Sequence, residues 1–169
     1  MPRITRKKSA DSALLSSADV PSDAGHQAFM ERAIGLAERA AASGEVPVGA
    51  VVVLEGVVIG SGFNQPIASH DPSAHAEILA LREAAASAGN YRLVDAVVYV
   101  TLEPCAMCLA ALEHARVAQV VYGCAESKFG AIESAAAPDV SARFITVSGV
   151  LAKECSEIMT RFFEQRRRS

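Results

Sequence analysis

Two short motifs, thirty residues apart, constrain this chain more than any other feature of its sequence. The first contains His75 and Glu77, separated by one residue, and the second contains Cys105 and Cys108, preceded by Pro104. One imidazole and two thiolates make three zinc ligands, and a catalytic zinc site has three protein ligands with its fourth position open. A fold that uses all three must bring two distant segments together, and Glu77 remains as a carboxylate that the metal does not need.

The combined pattern favours a hydrolytic deaminase site. His-x-Glu followed by Pro-Cys-x-x-Cys is the known signature of zinc nucleobase deaminases. Water bound to zinc loses its proton far more readily than bulk water. Glu77 is expected to take that proton and to pass it to a ring nitrogen and then to the leaving amine. Hydroxide would add to an amidine-like carbon, and ammonia would leave.

A structural zinc is the alternative interpretation, and it needs a fourth protein ligand. The sequence offers His70, His114 and Cys124 for that position. Structural sites usually show a second ligand pair with paired spacing. Here a single histidine, with a glutamate two residues on, accompanies the two cysteines, and this favours the catalytic interpretation.

The composition is that of one globular domain. The chain has 169 residues, of which 51% are hydrophobic and 21% charged, and this length can bury a substantial core. No apolar run approaches the ~20 residues of a membrane span, and no signal-like stretch follows the basic N-terminus. Four cysteines do not indicate a disulfide framework here, and buried free thiols are expected for Cys124 and Cys155. We therefore expect a cytoplasmic protein that does not enter a membrane.

Charge is distributed unevenly along the chain. The net charge of −3 argues weakly against a nucleic-acid partner, but residues 1–10 hold four basic residues and no acid, and residues 161–169 hold four basic residues and one acid. A basic end is either a solvated tail or a phosphate-contacting segment, and the sequence leaves both open. Residues 1–24 lack periodicity and are predicted to be a disordered basic arm, which leaves residues 25–169 as a single zinc-dependent deaminase domain.

Periodicity predicts a three-layer α/β/α domain with a mixed five-stranded central sheet. Four helices are expected, at about 26–43, 73–88, 104–114 and 151–167. Five strands are expected, at about 48–54, 57–59, 97–101, 117–122 and 144–147, with a loop over 60–69. Asp71 or Ser73 is expected to cap the second helix, which places His75 and Glu77 in its first turns.

The match extends beyond the metal motif, and the chain resembles the bacterial tRNA adenosine deaminases within the cytidine deaminase-like superfamily. The similarity covers about residues 26–168 and rests on five segments: 45–53, 64–67, 70–78, 90–93 and 99–108. It implies a cytidine deaminase-like fold and a homodimer whose active sites are completed across the interface. It also implies one zinc ion per subunit and conversion of adenosine to inosine at the wobble position of a tRNA, a substrate that suits recognition of splayed loop bases.

The resemblance also assigns roles to individual residues. His75, Cys105 and Cys108 would hold zinc, and Glu77 would be the proton shuttle. Asn64 would hydrogen-bond the flipped base, although a loop Asn in a turn is the interpretation that the sequence alone favours.

Further contacts are implied around the base and along the RNA. Val46 would form part of an apolar wall, or of ordinary strand core, and the backbone of Ala76 would contact the purine edge. The resemblance places these residues against RNA in the anticodon stem-loop: Lys128, Arg143, Phe162, Phe163, Arg166 and Arg167. For the two phenylalanines a hydrophobic helix face is the alternative, and for the lysine simple exposure.

The chain departs from the family pattern after the fourth predicted strand. Glu126 stands where the family usually has Asp, and residues 130–134 read Gly-Ala-Ile-Glu-Ser instead of Gly-Ala-Ala-Gly-Ser. The segment up to Arg143 is shorter than usual and lacks the Asn or His normally found before that residue. These changes motivate an alternative function, deamination of a free base such as guanine or cytosine. A structural-zinc RNA-binding module is the non-enzymatic alternative.

Overall fold

The computed structural model describes residues 23–132 and 145–168. The helices and strands follow along the chain in this order: α1 (Asp23–Ala42), β1 (Gly49–Leu54), β2 (Val57–Phe63), α2 (Pro66–Ser69), α3 (Ala76–Ala88), β3 (Val97–Leu102), α4 (Ala106–Ala115), β4 (Gln119–Cys124), β5 (Ile145–Ser148) and α5 (Ala152–Arg168). Within these ranges, no helix combines the length and the apolar character needed to cross a membrane. The predicted N-terminal arm lies outside the described residues except for its last two, which open α1, so it stays a prediction.

The five strands form one mixed sheet in the order β2-β1-β3-β4-β5. Strand β1 is antiparallel to both β2 and β3, whereas β3, β4 and β5 run parallel to one another. Helices α3 and α4 pack together on one face, and α1 and α5 pack together on the other. The predicted three-layer arrangement with a mixed five-stranded sheet is therefore confirmed.

Strand β1 shows how the core is divided between the two faces. Successive side chains of a strand point to opposite sides of the sheet. Val51 and Val53 accordingly pack toward α1 and α5, whereas Ala50 and Val52 pack toward α3 and α4. Because both faces are covered, the strand reads as a continuous apolar run, which is typical of a central strand.

Strand β2 is longer than predicted, and its glycines explain the difference. The sequence indicated a loop from residue 60 onward, but the strand continues to Phe63 and is followed by the short helix α2. A Cβ atom on Gly60 would collide with the backbone oxygen of Ala80, and one on Gly62 with that of Ala76. The two glycines therefore let α3 lie directly on the strand, and they remove the β-branched residues by which a strand is predicted.

This close approach predicts a stability difference between two identical substitutions. Gly62→Ala is expected to lower the free energy of unfolding by about 1–3 kcal/mol, because the added methyl group overpacks the contact with α3. Gly35→Ala is the matched control: Gly35 is exposed on α1 with open space around its Cα, so alanine should be neutral or stabilising by up to about 1 kcal/mol. Urea unfolding measures both variants, and equal effects would contradict the packing argument.

Candidate active site

The predicted zinc ligands lie where two helices begin on the same face of the sheet. His75 immediately precedes α3, Cys105 immediately precedes α4, and both have extended backbone conformations. Cys108 lies in the first turn of α4 and is fully buried. The N-terminal ends of α3 and α4 therefore deliver three ligand atoms to one point.

Both helices begin two or three residues later than predicted. The side chain of Asp71 accepts hydrogen bonds from the Ser73 backbone N–H at 2.8 Å and from its hydroxyl at 2.7 Å. These bonds close a separate turn before the helix, so neither residue caps α3, and His75 takes the cap position instead. His75 therefore lies one residue before the first turn of α3, and its ring faces the start of α4.

The distances between the ligand atoms fit a tetrahedral zinc ion. His75 Nδ1 lies 3.7 Å from Cys105 Sγ and 3.6 Å from Cys108 Sγ, and the ligand atoms all lie within 4.8 Å of one another. Zinc–nitrogen and zinc–sulfur bonds of ordinary length at a tetrahedral angle separate the two atoms by about 3.6 Å.

Among the described residues, this cluster contains three ligands and no fourth. The residues nominated for a structural site, His70, His114 and Cys124, are not part of it. Three protein ligands leave a tetrahedral ion with one open position, which is the arrangement of catalytic zinc. The geometry therefore fits the catalytic interpretation and not the structural one.

The surroundings of Cys105 favour the thiolate that a metal requires. A hydrogen bond from the Cys108 thiol, together with the contact to the His75 ring, lowers the pKa of Cys105 to about 4. Its position before a helix adds the partial positive charge of free backbone N–H groups. This cysteine is therefore set to bind a cation.

Glu77 lies in the first turn of α3 and is only 3% exposed. Burial raises the pKa of this carboxyl to about 7, because desolvation disfavours the charged form. A carboxyl with a pKa near neutrality exchanges protons efficiently in both directions at physiological pH. It lines the same cavity as His75 and Cys105.

The cavity beside these ligands has a volume of about 270 Å³. This lies just below the range of roughly 300–1,000 Å³ typical of drug-sized ligand pockets, so it suits a single planar ring system. Apolar side chains from four segments form much of its wall: Val46, Ile67, Leu102 and Phe129. The predicted wall residue Val46 is half-buried at this surface.

Two residues predicted to meet the substrate are bonded to each other. Asn64 lines the cavity, is 8% exposed, and accepts a hydrogen bond from the Ala76 backbone N–H at 2.9 Å through Oδ1. The N–H group of Ala76 is thereby engaged. A ligand in the cavity would meet the NH2 donors of Asn64 rather than its oxygen.

The residues predicted to contact RNA fall in two places on the surface. Lys128 is exposed in the loop after β4, and its Nζ lies 4.9 Å from the centre of the Phe129 ring. Phe163 and Arg167 on α5 line a shallow groove. That groove shares Leu102 and Glu126 with the cavity, and it therefore borders the cavity.

The remaining predicted RNA contacts are placed less favourably. Phe162 is 6% exposed and packs edge to face against Phe163, with 5.4 Å between ring centres. The Arg166 guanidinium lies over the Phe162 ring. Phe162 therefore has a packing role, the alternative that the sequence left open, and Arg143 lies outside the described residues.

Sequence reasoning assigned no role to two buried carboxylates that shape the cavity. Glu103 accepts the backbone N–H of Glu126 at 2.9 Å and that of Ile132 at 2.8 Å, and so anchors the loop after β4. Glu45 accepts the Ala68 N–H at 2.8 Å and so anchors α2. Each glutamate directly precedes a Pro-Cys or Val-Pro pair, and this was the only local sign of a role. The backbone groups that the two glutamates bind are far away in the sequence, so the sequence does not reveal them.

Comparison with known proteins agrees with this geometry. Residues 23–124 match the family described as the cytidine and deoxycytidylate deaminase zinc-binding region. A protein named tRNA-specific adenosine deaminase from Haemophilus influenzae is 45% identical over 144 residues, which cover 82% of this chain and 83% of that protein.

Two solved structures are also similar. One comes from studies of A-to-I editing by tRNA:A34 deaminases at the wobble position of transfer RNA, with a TM-score of 0.73, 41% identity, and coverage of 78% of this chain and 98% of that one. The other is a guanine deaminase from Bacillus subtilis, with a TM-score of 0.58, 38% identity, and coverage of 66% and 69%. The resemblance predicted from the motifs is thus confirmed, and the chain belongs to the zinc-binding cytidine and deoxycytidylate deaminase family, among the tRNA-specific adenosine deaminases.

Proposed function

We propose that this protein is a zinc-dependent enzyme that converts adenosine to inosine at the wobble position of a tRNA. The observation that carries the proposal is the meeting of three zinc ligands and the buried carboxyl of Glu77 in one ring-sized cavity. The names of the relatives at 41% and 45% identity support the choice of adenosine in tRNA as the substrate.

In the proposed hydrolysis, three residues bind the metal and Glu77 transfers protons. His75, Cys105 and Cys108 would hold the zinc ion, which when bound supplies Lewis-acid activation of a water molecule at neutral pH. Glu77 takes one proton from the attacking water and passes it to a ring nitrogen of the base. The same carboxyl then carries a proton to the exocyclic amine, which leaves as ammonia while the water oxygen stays on the ring carbon. Burial keeps bulk water away from Glu77, and the loss of solvation raises the pKa of its carboxyl.

Contacts to the base are proposed from the cavity wall. The NH2 group of Asn64 would donate to an acceptor on the base edge, next to the backbone of Ala76. Val46 would supply apolar surface for one side of the ring, since it is half-buried in the wall.

Two variants of Asn64 test the oxygen and the NH2 group of its side chain separately. Asn64→Asp keeps an oxygen for the Ala76 N–H but removes the NH2 donors, whereas Asn64→Ala removes both. Both variants are expected to lower kcat/KM by roughly 5- to 150-fold, the cost of an unsatisfied buried polar group. Asn64→Ala should also lower the free energy of unfolding by about 1 kcal/mol, as measured in urea, because the Ala76 N–H loses its partner. Full activity of Asn64→Asp would show that the donors are not used.

We also propose that the anticodon stem-loop lies along the groove between the loop after β4 and α5. The groove borders the cavity, and the last turn of α5 is basic. The contacts proposed from this surface, and from the segment before β5, are Lys128, Arg143, Phe163, Arg166 and Arg167. Phe162 is left out of this set because it is buried.

A homodimer completes the proposal. The first turn of α4 exposes Met107, 40% accessible, between the two zinc-binding cysteines. An apolar side chain beside the ligands supports a partner subunit that covers this rim. The cytoplasm is the proposed compartment, because a reducing environment keeps zinc-binding thiols from forming disulfides.

The test is a product assay with the zinc-loaded protein. An anticodon stem-loop with adenosine at the wobble position is incubated with the protein, and its nucleosides are analysed for inosine by mass spectrometry. The matched control substrate moves the adenosine to the stem, where it is paired. Absence of inosine from the first substrate, with zinc bound, would refute the proposal. Ammonia released from free guanine or cytosine instead would favour the free-base alternative, which the similarity to a guanine deaminase keeps open.

A further inference from the structure

The loop after β4 carries an aromatic ring that the proposed chemistry does not use. Phe129 is 65% exposed, the highest value among the large apolar side chains of the described ranges. The same ring lines the mouth of the active-site cavity. Exposure of apolar surface to water is unfavourable. A ring that is both exposed and part of the cavity lining is therefore available to contact a ligand there.

The loop holds Phe129 in place from both sides. Glu103 accepts backbone N–H groups before and after the ring, and the Ala131 N–H donates to the Pro104 oxygen at 3.1 Å. A Cβ atom on Gly130 would collide with the Glu103 carboxylate, which shows how closely the loop lies against its anchor. The backbone that carries the ring is therefore anchored directly beside the segment that bears the zinc-binding cysteines.

The lining of the cavity below the ring is acidic and does not attract a polyanion. Four carboxyl groups line the cavity: Glu45, Glu77, Glu103 and Glu126. Lys128 supplies a positive charge beside the ring, 4.9 Å from its centre. A contact that does not depend on charge therefore suits this rim, and stacking of a base on an aromatic ring is such a contact.

We propose that Phe129 is a stacking platform for the base next to the target nucleoside, with Lys128 meeting the adjoining phosphate. The inference rests on the proposed RNA substrate and adds a second, neighbouring subsite to it. Recognition of a splayed loop base by an exposed aromatic ring is the usual way in which proteins bind single-stranded RNA.

Three variants test the aromatic face of the ring. Phe129→Ala and Phe129→Leu are expected to raise KM for the stem-loop by roughly 5- to 150-fold, the effect of losing one stacked base, while kcat changes by less than about twofold. Phe129→Trp should keep the wild-type KM. Leucine is the matched control for apolar bulk, because it fills space without offering a π face. Raised salt should leave the Phe129→Ala defect unchanged and shrink that of Lys128→Ala.

Substrates with one abasic nucleotide on either side of the wobble position test the partner base. With the wild-type enzyme, one of these substrates should have a KM as high as that of Phe129→Ala for the intact stem-loop. With Phe129→Ala, removing the same base should not raise the KM further. Additive defects, or equal performance of the leucine and tryptophan variants, would overturn the stacking platform and leave the deaminase proposal standing. A wild type that makes no inosine would overturn both. A change of oligomeric mass in Phe129→Ala, measured by sedimentation, would assign the ring to an interface between copies of this chain and overturn the platform.

Discussion

Replacing Glu77 by glutamine is expected to lower kcat by about 10²- to 10⁴-fold while one zinc ion stays bound to each chain. Glutamine has the same shape as glutamate, so a side chain that is 3% exposed keeps its packing. An amide cannot take a proton from water and pass it on, and so the proton transfers lose their carrier. The three ligand atoms come from other residues and are unaffected.

Single-turnover assays and zinc analysis on the same sample separate chemistry from metal binding. Glu77→Asp is the control: it keeps a carboxyl but draws it back by one methylene, so partial activity is expected. Retained turnover in Glu77→Gln would place the proton transfer on another group. Loss of zinc would show instead that Glu77 is a ligand, which would contradict the three-ligand site.

The metal centre was predictable because its information is local. The spacings around His75, Glu77 and the two cysteines specify the ligand types and place them near two helix starts without knowledge of the rest of the chain. The exact start of α3 was misplaced, because Asp71 accepts hydrogen bonds from Ser73 and closes a separate turn before the helix. The strands themselves were predicted in the same way, from short β-branched apolar runs.

Features that depend on distant partners were not predictable. Strand β2 was predicted too short. Gly60 and Gly62 break the β-branched pattern, and the reason for them is their close contact with the backbone of α3, an element that comes later in the chain. The role of Glu103 is fixed by two amide groups in the loop after β4. The exposure of Phe129 at the cavity mouth depends on that anchored loop, so no local pattern reveals it.

Removing a zinc ligand is the second large effect expected. Cys108→Ser should lower zinc affinity by more than about 100-fold, since even outer partners of metal ligands contribute about 10- to 100-fold. A hydroxyl is a far weaker zinc ligand than a thiolate, and two remaining ligands do not hold the ion. Turnover should fall to the level of the metal-free protein.

The free energy of unfolding provides an independent measure of zinc binding in Cys108→Ser. Zinc at about 1,000 times its dissociation constant stabilises the native state by about 4 kcal/mol, because it binds the folded site and not the unfolded chain. Cys108→Ser should lose this stabilisation, and a chelator should lower the wild type to the same level without affecting the variant. Cys124→Ser is the matched control: Cys124 lies outside the ligand cluster and donates to the Thr101 oxygen, a bond that serine can also make. Because the two substitutions are chemically identical, zinc loss in both, or in neither, would refute the assignment of Cys108 as a ligand.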